Sequence, residues 1–319
     1  MKKPSFTDSI NPRISSLVVL AMLAMVAIPA GITLHTVRAP AIAVPQSSNP
    51  TPHGYTWSLL LFIVPIALIG GWFLPLEGVE IPQRAFWRTI GVLTPLGFSL
   101  DFFFAKTFLC FPNAAATLGV RAPALGEPVP IEEYIFYFTG FLAVLLLYVW
   151  MDEFWLSAYN VKDYRAEASK IDRLIKFHPT SILIGLVLIA AAIAYKKLIS
   201  RTEGFPGYFT FLVTTALVPA AAFFPEAKKF INWRALSLTL FIVLLISLFW
   251  ETTLAVPYGW WGYRQTQMMG LSIGAWSQLP IEAVCVWIAV TYMTTIIFEV
   301  IKLWDASSKP LKQAFLGVN

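Results

Sequence analysis

Asp101 and Glu251 are carboxylic acids set inside long apolar runs, and each is followed 29 residues later by a proline that opens the next run. The first copy reads Pro130-Ile131-Glu132-Glu133 and the second Pro280-Ile281-Glu282, with 150 residues between equivalent positions. An ionised carboxylate deep in a bilayer costs about 2.5–3.5 kcal/mol, so such acids need a partner, a proton or a task. Dry surroundings favour the neutral form, and a neutral acid in an apolar pocket is a proton donor. The chemistry this pattern suits is general acid–base catalysis. For Asp101 or Glu251 taken alone, a structural hydrogen bond between helices is the competing reading. Proline followed by glutamate is also ordinary grammar for a helix start. The pairing of both features at one interval, twice, favours a shared site. Glu132 and Glu133 stand about 100° apart on a helix and cannot both point one way. The second copy keeps one glutamate and has Ala283 at the other position. Glu132 and Glu282 are therefore expected as the central pair, with Glu133, Asp101 and Glu251 as further catalytic candidates.

Aromatic residues crowd these positions: Phe102, Phe103 and Phe104, then Tyr134, Phe136, Tyr137 and Phe138, then Trp250, and finally Tyr258, Trp260, Trp261, Tyr263 and Trp276. A ring face attracts a cation by about 0.5–2 kcal/mol, which could steady a transient carbocation without trapping it. Anchoring at the lipid interface claims others, Trp150 and Trp155 among them. Tyr134, Tyr137, Phe104, Trp250, Tyr258, Trp260, Trp261 and Tyr263 are the expected substrate-binding set. Several chemistries are set aside. Cys110 and Cys285 form no disulfide framework or Cys-x-x-Cys pair, and His35, His53 and His178 are scattered, so neither metal nor cofactor is expected. The chain lacks glycine-rich nucleotide loops, a serine elbow and the aspartate-rich Asn-Asp-x-x-Asp motif of membrane prenyltransferases.

The elements that must carry these residues are membrane helices. Of 319 residues, 57% are hydrophobic and only 13% charged, outside the range of soluble domains. The all-α, polytopic reading has about eight spans: Ile14 to Thr36, Trp57 to Leu76, Thr89 to Cys110, Val129 to Met151, Ser181 to Leu198, Tyr208 to Phe224, Ala235 to Val256 and Leu279 to Ile301. The fifth and sixth are short. Most of the 23 lysines and arginines then fall in loops on one side, which places both termini in the cytoplasm and makes nucleic acid an unneeded explanation for the net charge of +5. The first span has a second reading as a signal peptide, with a cleavage-like Ala41-Ile42-Ala43. The charged stretch from Asp152 to Phe177 reads as a cytoplasmic linker with a surface helix between two like-oriented halves. The expected organisation is 1–56 as an N-terminal span and outer loop, 57–151 as a first repeat, 152–204 as linker and extra span, 205–302 as a second repeat and 303–319 as a tail. Parallel repeats of this kind share a site at their interface. Trp87-Arg88 and Trp233-Arg234 add an echo at an offset of 146, as if the first copy were about one helical turn shorter there.

At these residues the chain resembles a known family. Pro130-Ile131-Glu132-Glu133-Tyr134-Ile135-Phe136-Tyr137 and the run from Tyr258-Gly259-Trp260-Trp261-Gly262-Tyr263 through Gly270-Leu271-Ser272-Ile273-Gly274 to Leu279-Pro280-Ile281-Glu282 look like the membrane-integral lycopene cyclases. That family occurs as heterodimers of small three-span subunits in bacteria and as fused two-domain forms in archaea and fungi. The resemblance covers residues 57 to 151 and 205 to 302. The departures are Ala283 in place of a second acid, Val286 in place of a phenylalanine, the extra first and fifth spans and the long linker. The resemblance implies a cyclase acting on an apolar carotenoid in a bacterial cytoplasmic membrane, beside lipid and other enzymes of carotenoid synthesis. A carboxylic acid would protonate a terminal alkene, a neighbouring double bond would close a β-type ring on the cation, and a carboxylate would remove a proton. A proton-coupled secondary transporter, with carboxylates at the repeat interface, is the alternative from another class. A binding or assembly protein without turnover is a third.

Overall fold

A computed structural model describes residues 52–76, 81–161, 164–274 and 276–317, with two isolated helical positions at Ala24 and Ile28. Apart from those two positions, the expected first span and the cleavage-like site at Ala41-Ile42-Ala43 lie outside the described residues. The chain is an all-α integral membrane protein. In order, its helices are α1 (Gly54–Leu76), α2 (Gln83–Phe108), α3 (Ile131–Trp155), the short α4 (Tyr164–Ser169), α5 (Pro179–Ser200), α6 (Gly207–Ala227), α7 (Trp233–Ala255), α8 (Glu282–Ser307) and the short α9 (Leu311–Leu316). Six of them, α1, α3, α5, α6, α7 and α8, are long and apolar enough to cross a membrane. In hydrocarbon every backbone polar group must be satisfied internally, which is why such runs become helices. The two runs that look short in sequence form helices of 22 and 21 residues. α2 carries Arg84, Arg88, Asp101 and Lys106, yet its 26 residues reach about 39 Å, enough to span.

Burial sorts the bundle. In α3 and α8, 61% of the most apolar window is covered by protein and in α7 50%, against 17% in α5 and 22% in α1 and α6, so α3, α8 and α7 form the centre and α1, α5 and α6 its lipid-facing layer. α8 packs most extensively on α6.

Three two-residue ladders join the loops at one end of the bundle. β2 (Arg121–Ala122) pairs with β3 (Val129–Pro130), and β5 (Ser272–Ile273) with β6 (Leu279–Pro280), so each Pro-Ile-Glu sequence enters its helix from the same kind of antiparallel hairpin. β1 (Leu109–Cys110) instead pairs with β4 (Gly262–Tyr263), tying the end of α2 to the loop after α7. The echo of Trp87-Arg88 in Trp233-Arg234 is not an equivalence of position. α7 starts at Trp233, whereas α2 starts at Gln83, four residues before Trp87, and both Asp101 and Glu251 therefore lie 18 residues into their helices. They differ in local backbone. Glu251 opens a π-turn over Glu251–Ala255, closed by Val256 N–H on the Glu251 carbonyl at 3.0 Å, while α2 is α-helical through Asp101. A π-turn re-aims the side chain it carries, and such turns are frequent at functional sites.

The charged linker begins later than its composition suggests. α3 continues to Trp155, so Asp152 is a fully buried helix residue, and α4 is a surface helix that packs on α8 through the completely covered Ala168, with Arg165, Glu167 and Ser169 exposed.

α2 and α3 approach closely at Gly97. A Cβ there would stand 2.7 Å from Cε2 of Phe141 and 3.1 Å from Cδ1 of Tyr137. Gly97→Ala is expected to lower stability by about 1–3 kcal/mol through overpacking, read as a fall in thermal midpoint in detergent.

Candidate acid chamber

At the ladder end of the bundle, α3, α7 and α8 leave a hollow with about 70 Å³ of free space. Two carboxyl groups stand on its wall, Glu133 from the first turn of α3 and Glu251 from the π-turn of α7. Both are buried, at 4% and 3% exposure. Each receives a short hydrogen bond from a tyrosine. Tyr55 Oη, on α1, donates to Glu133 Oε1 at 2.5 Å, and Tyr263 Oη, on β4, donates to Glu251 Oε2 at 2.5 Å. Burial and the neighbouring Glu251 push the Tyr263 hydroxyl well above the ordinary tyrosine range, so it remains a proton-bearing donor to Glu251 through neutral pH and beyond.

The rest of the wall is ring and hydrocarbon. Phe136 and Val286 both line it, as do Tyr137 and Trp287, and each pair is 150 residues apart in sequence. The chamber therefore lies between equivalent faces of the two halves. Where the first half presents the ring of Phe136, the second presents the smaller Val286. Tyr208 of α6 adds a fourth hydroxyl-bearing ring to those of Tyr55, Tyr137 and Tyr263.

The other acids have different surroundings. Glu132 Oε1 accepts from Thr56 Oγ1 at 2.6 Å and from the backbone N–H of Leu118 at 2.7 Å; Glu282 Oε1 accepts from the N–H of Met269 at 2.5 Å. Both are fully buried and set back from the chamber wall, each pinning the loop that precedes its helix. The Met269 loop is also held by Lys196 of α5, whose ammonium donates to the carbonyls of Gln265 at 3.3 Å, Thr266 at 3.1 Å and Met268. The pairing expected at the centre, Glu132 with Glu282, is thus spatially a pair of loop anchors, and the acids that share the hollow are Glu133 and Glu251. Asp101 is 1% exposed, and neither of its carboxylate oxygens has a partner among the described residues. The charged neighbours of Glu133 are Asp101, Glu132 and Glu251.

Of the aromatic candidates, Tyr137, Trp261 and Tyr263 reach the wall. Trp250 stands one layer behind, 4.7 Å from Trp261 and 5.5 Å from Phe136 between ring centres. The Tyr134 hydroxyl donates to the Pro123 carbonyl at 2.6 Å, and Phe104 stacks on Phe108 at 5.9 Å. Tyr258 and Trp260 line a separate apolar groove of about 590 Å³ between α1 and α7. Wall residues outside the expected set include Tyr55, Phe136, Phe141, Tyr208, Val286 and Trp287. The repeat register could have found Trp287, 150 residues after Tyr137. Tyr55 and Tyr208 stand at helix starts, where a tyrosine reads as an interface anchor and gives no other signal.

Among the described residues, no group of three or more His, Cys, Asp or Glu side chains has the arrangement to hold a metal ion. Comparison of the chain with protein-family models, with curated proteins and with solved structures gives no significant match.

Proposed function

We propose that the protein is a carotenoid cyclase that forms β-type end rings on a linear substrate such as lycopene, with no net oxidation. One observation carries the reading: Glu133 and Glu251, contributed by opposite halves, stand on the wall of one hollow whose other lining is aromatic and aliphatic, with tyrosine the most polar side chain among it. Carboxyl groups sharing a dry site hold protons between them, which is what proton addition to an alkene requires. In this reading Glu133 gives its proton to the terminal double bond. The neighbouring double bond then forms the ring carbon–carbon bond on the tertiary cation, and Glu251 takes the proton that restores an alkene. The hydrogen bonds from Tyr55 and Tyr263 steady the charged form of either acid, Glu133 after it has given its proton and Glu251 before it takes one. The rings of Phe136, Trp261 and Trp287 line the hollow, supply π-electron density to a cation and offer no nucleophile to capture it. The resemblance of the Pro-Ile-Glu and Tyr-Gly-Trp-Trp-Gly-Tyr segments to membrane-integral lycopene cyclases supports the same assignment.

The test is expression in a lycopene-accumulating host, with membrane insertion verified. Cyclised pigment is expected; unchanged lycopene beside correctly inserted protein would overturn the proposal.

A further inference from the structure

α8 carries a line of polar groups that the chamber chemistry does not use. Thr291, Thr294 and Thr295 are fully buried, and none of their hydroxyls has a hydrogen-bond partner among the described residues. Three of the five buried threonine hydroxyls left in this state fall on this one helix. A threonine inside a helix ordinarily bonds the carbonyl four residues back, as Thr89 does to Ala85 at 2.7 Å and Thr139 to Ile135 at 2.7 Å. The α8 threonines do not, and a dry unpaired hydroxyl is costly enough that such groups are normally bridged by ordered water.

The line has acids at both ends. Towards the ladders, Trp287 and Val290 border the chamber, so Thr291 is the first hydroxyl beyond it. Towards the linker, one turn past Thr295, stands Glu299, fully buried, accepting from Tyr148 Oη at 2.9 Å and Tyr164 Oη at 2.8 Å. Beside it, Lys302 Nζ lies 3.4 Å from Asp152 Oδ2 and 2.9 Å from Glu153 Oε1. Asp152 is fully buried, while the Glu153 side chain is 30% exposed and opens the cluster to the surface.

We infer that the threonine line of α8 is a proton path joining the linker-side cluster of Asp152, Glu299 and Lys302 to the acid chamber. Side chains four apart on a helix have Cβ atoms about 5–6 Å apart. One water making two hydrogen bonds of about 2.8 Å closes such a gap. Thr291 to Thr295 and Thr295 to Glu299 are both steps of four, and together they cover about 12 Å. A hydroxyl both donates and accepts, so it passes a proton on, whereas the indole N–H of Trp287 only donates and cannot. The path does a job the chamber needs done. Whatever reaction or transport moves a proton from Glu133 to Glu251 leaves the first acid without one and the second with one, and a route to the surface resets both. The inference does not depend on the cyclase reading.

The test is infrared hydrogen–deuterium exchange on the full chain in lipid vesicles, without substrate. The carboxylic-acid band of the chamber is assigned by its change in Glu133→Gln and Glu251→Gln. Exchange of that band in D₂O should slow at least tenfold in Thr291→Val/Thr294→Val/Thr295→Val, which removes hydroxyls at nearly constant shape. It should slow measurably in Thr295→Val alone and stay at the parent rate with serine at the same positions. Unchanged exchange in the valine variants, equal slowing in the serine variants, or no exchangeable carboxylic-acid band in the parent would overturn the inference. Should the triple variant not insert, the single Thr291→Val and Thr295→Val proteins decide by the same criteria. Failure to make cyclised pigment would overturn the proposed reaction and leave this result untouched.

Discussion

Replacing Glu133 by glutamine should abolish cyclisation, with product formation falling by about 10²- to 10⁴-fold, the range that removal of a positioned general acid produces. The exchange is nearly isosteric. The amide still accepts from Tyr55, so the fold is retained and the loss is chemical. Glu251→Gln should fall as far if it takes up the departing proton. Glu132→Gln and Glu282→Gln should behave differently. Each keeps a side-chain carbonyl able to accept the loop N–H, of Leu118 or of Met269, and activity should survive in part. The measurement is pigment analysis of all four variants beside the parent, normalised to protein in the membrane. A glutamine at 133 that leaves the product unchanged, while one at 132 or 282 removes it, would return the chemistry to the loop anchors.

The second large effect concerns stability. Lys302 stands between Asp152 and Glu153, with the rings of Tyr164 and Phe298 at 4.7 and 5.8 Å. Removing one member of a buried pair strands the other, at a cost of about 3–5 kcal/mol. Lys302→Met should therefore lose several kcal/mol of stability in detergent unfolding, since Asp152 is fully buried and Glu299 lies beside it. Adding Asp152→Asn removes the uncompensated charge and should recover much of the loss. A single variant as stable as the parent would mean that water already solvates this cluster.

Much of this arrangement was written in spacing. The interval of 150 residues reappears in three dimensions as matched hairpins before α3 and α8 and as matched bonds from Glu132 and Glu282 to the loop N–H groups behind them. Runs of apolar residues set the helices, because length and composition decide spanning without any knowledge of partners. Which glutamate faces inward was not legible. Glu132 and Glu133 are one residue apart, and only the direction from which α1 and α7 pack decides between them. The π-turn at Glu251 was equally hidden, since it changes the aim of the acid without changing its neighbours in sequence. Glu299 could have been found: it interrupts an apolar run as Asp101 does, and the same cost argument applies to it. Lys302 and Asp152 were obscured by their place near helix ends, where a charge ordinarily reads as orientation or linker.

Asp152 and Lys302 are themselves 150 residues apart, so the ion pair joins one position of the repeat to its own counterpart with the charge reversed. Two copies of the first half docked in this geometry would set aspartate against aspartate, and two copies of the second would set lysine against lysine. The duplicated segments have thus become a lock and its key. Pairing of unlike segments is rewarded at this position, and pairing of like segments would bury two equal charges side by side.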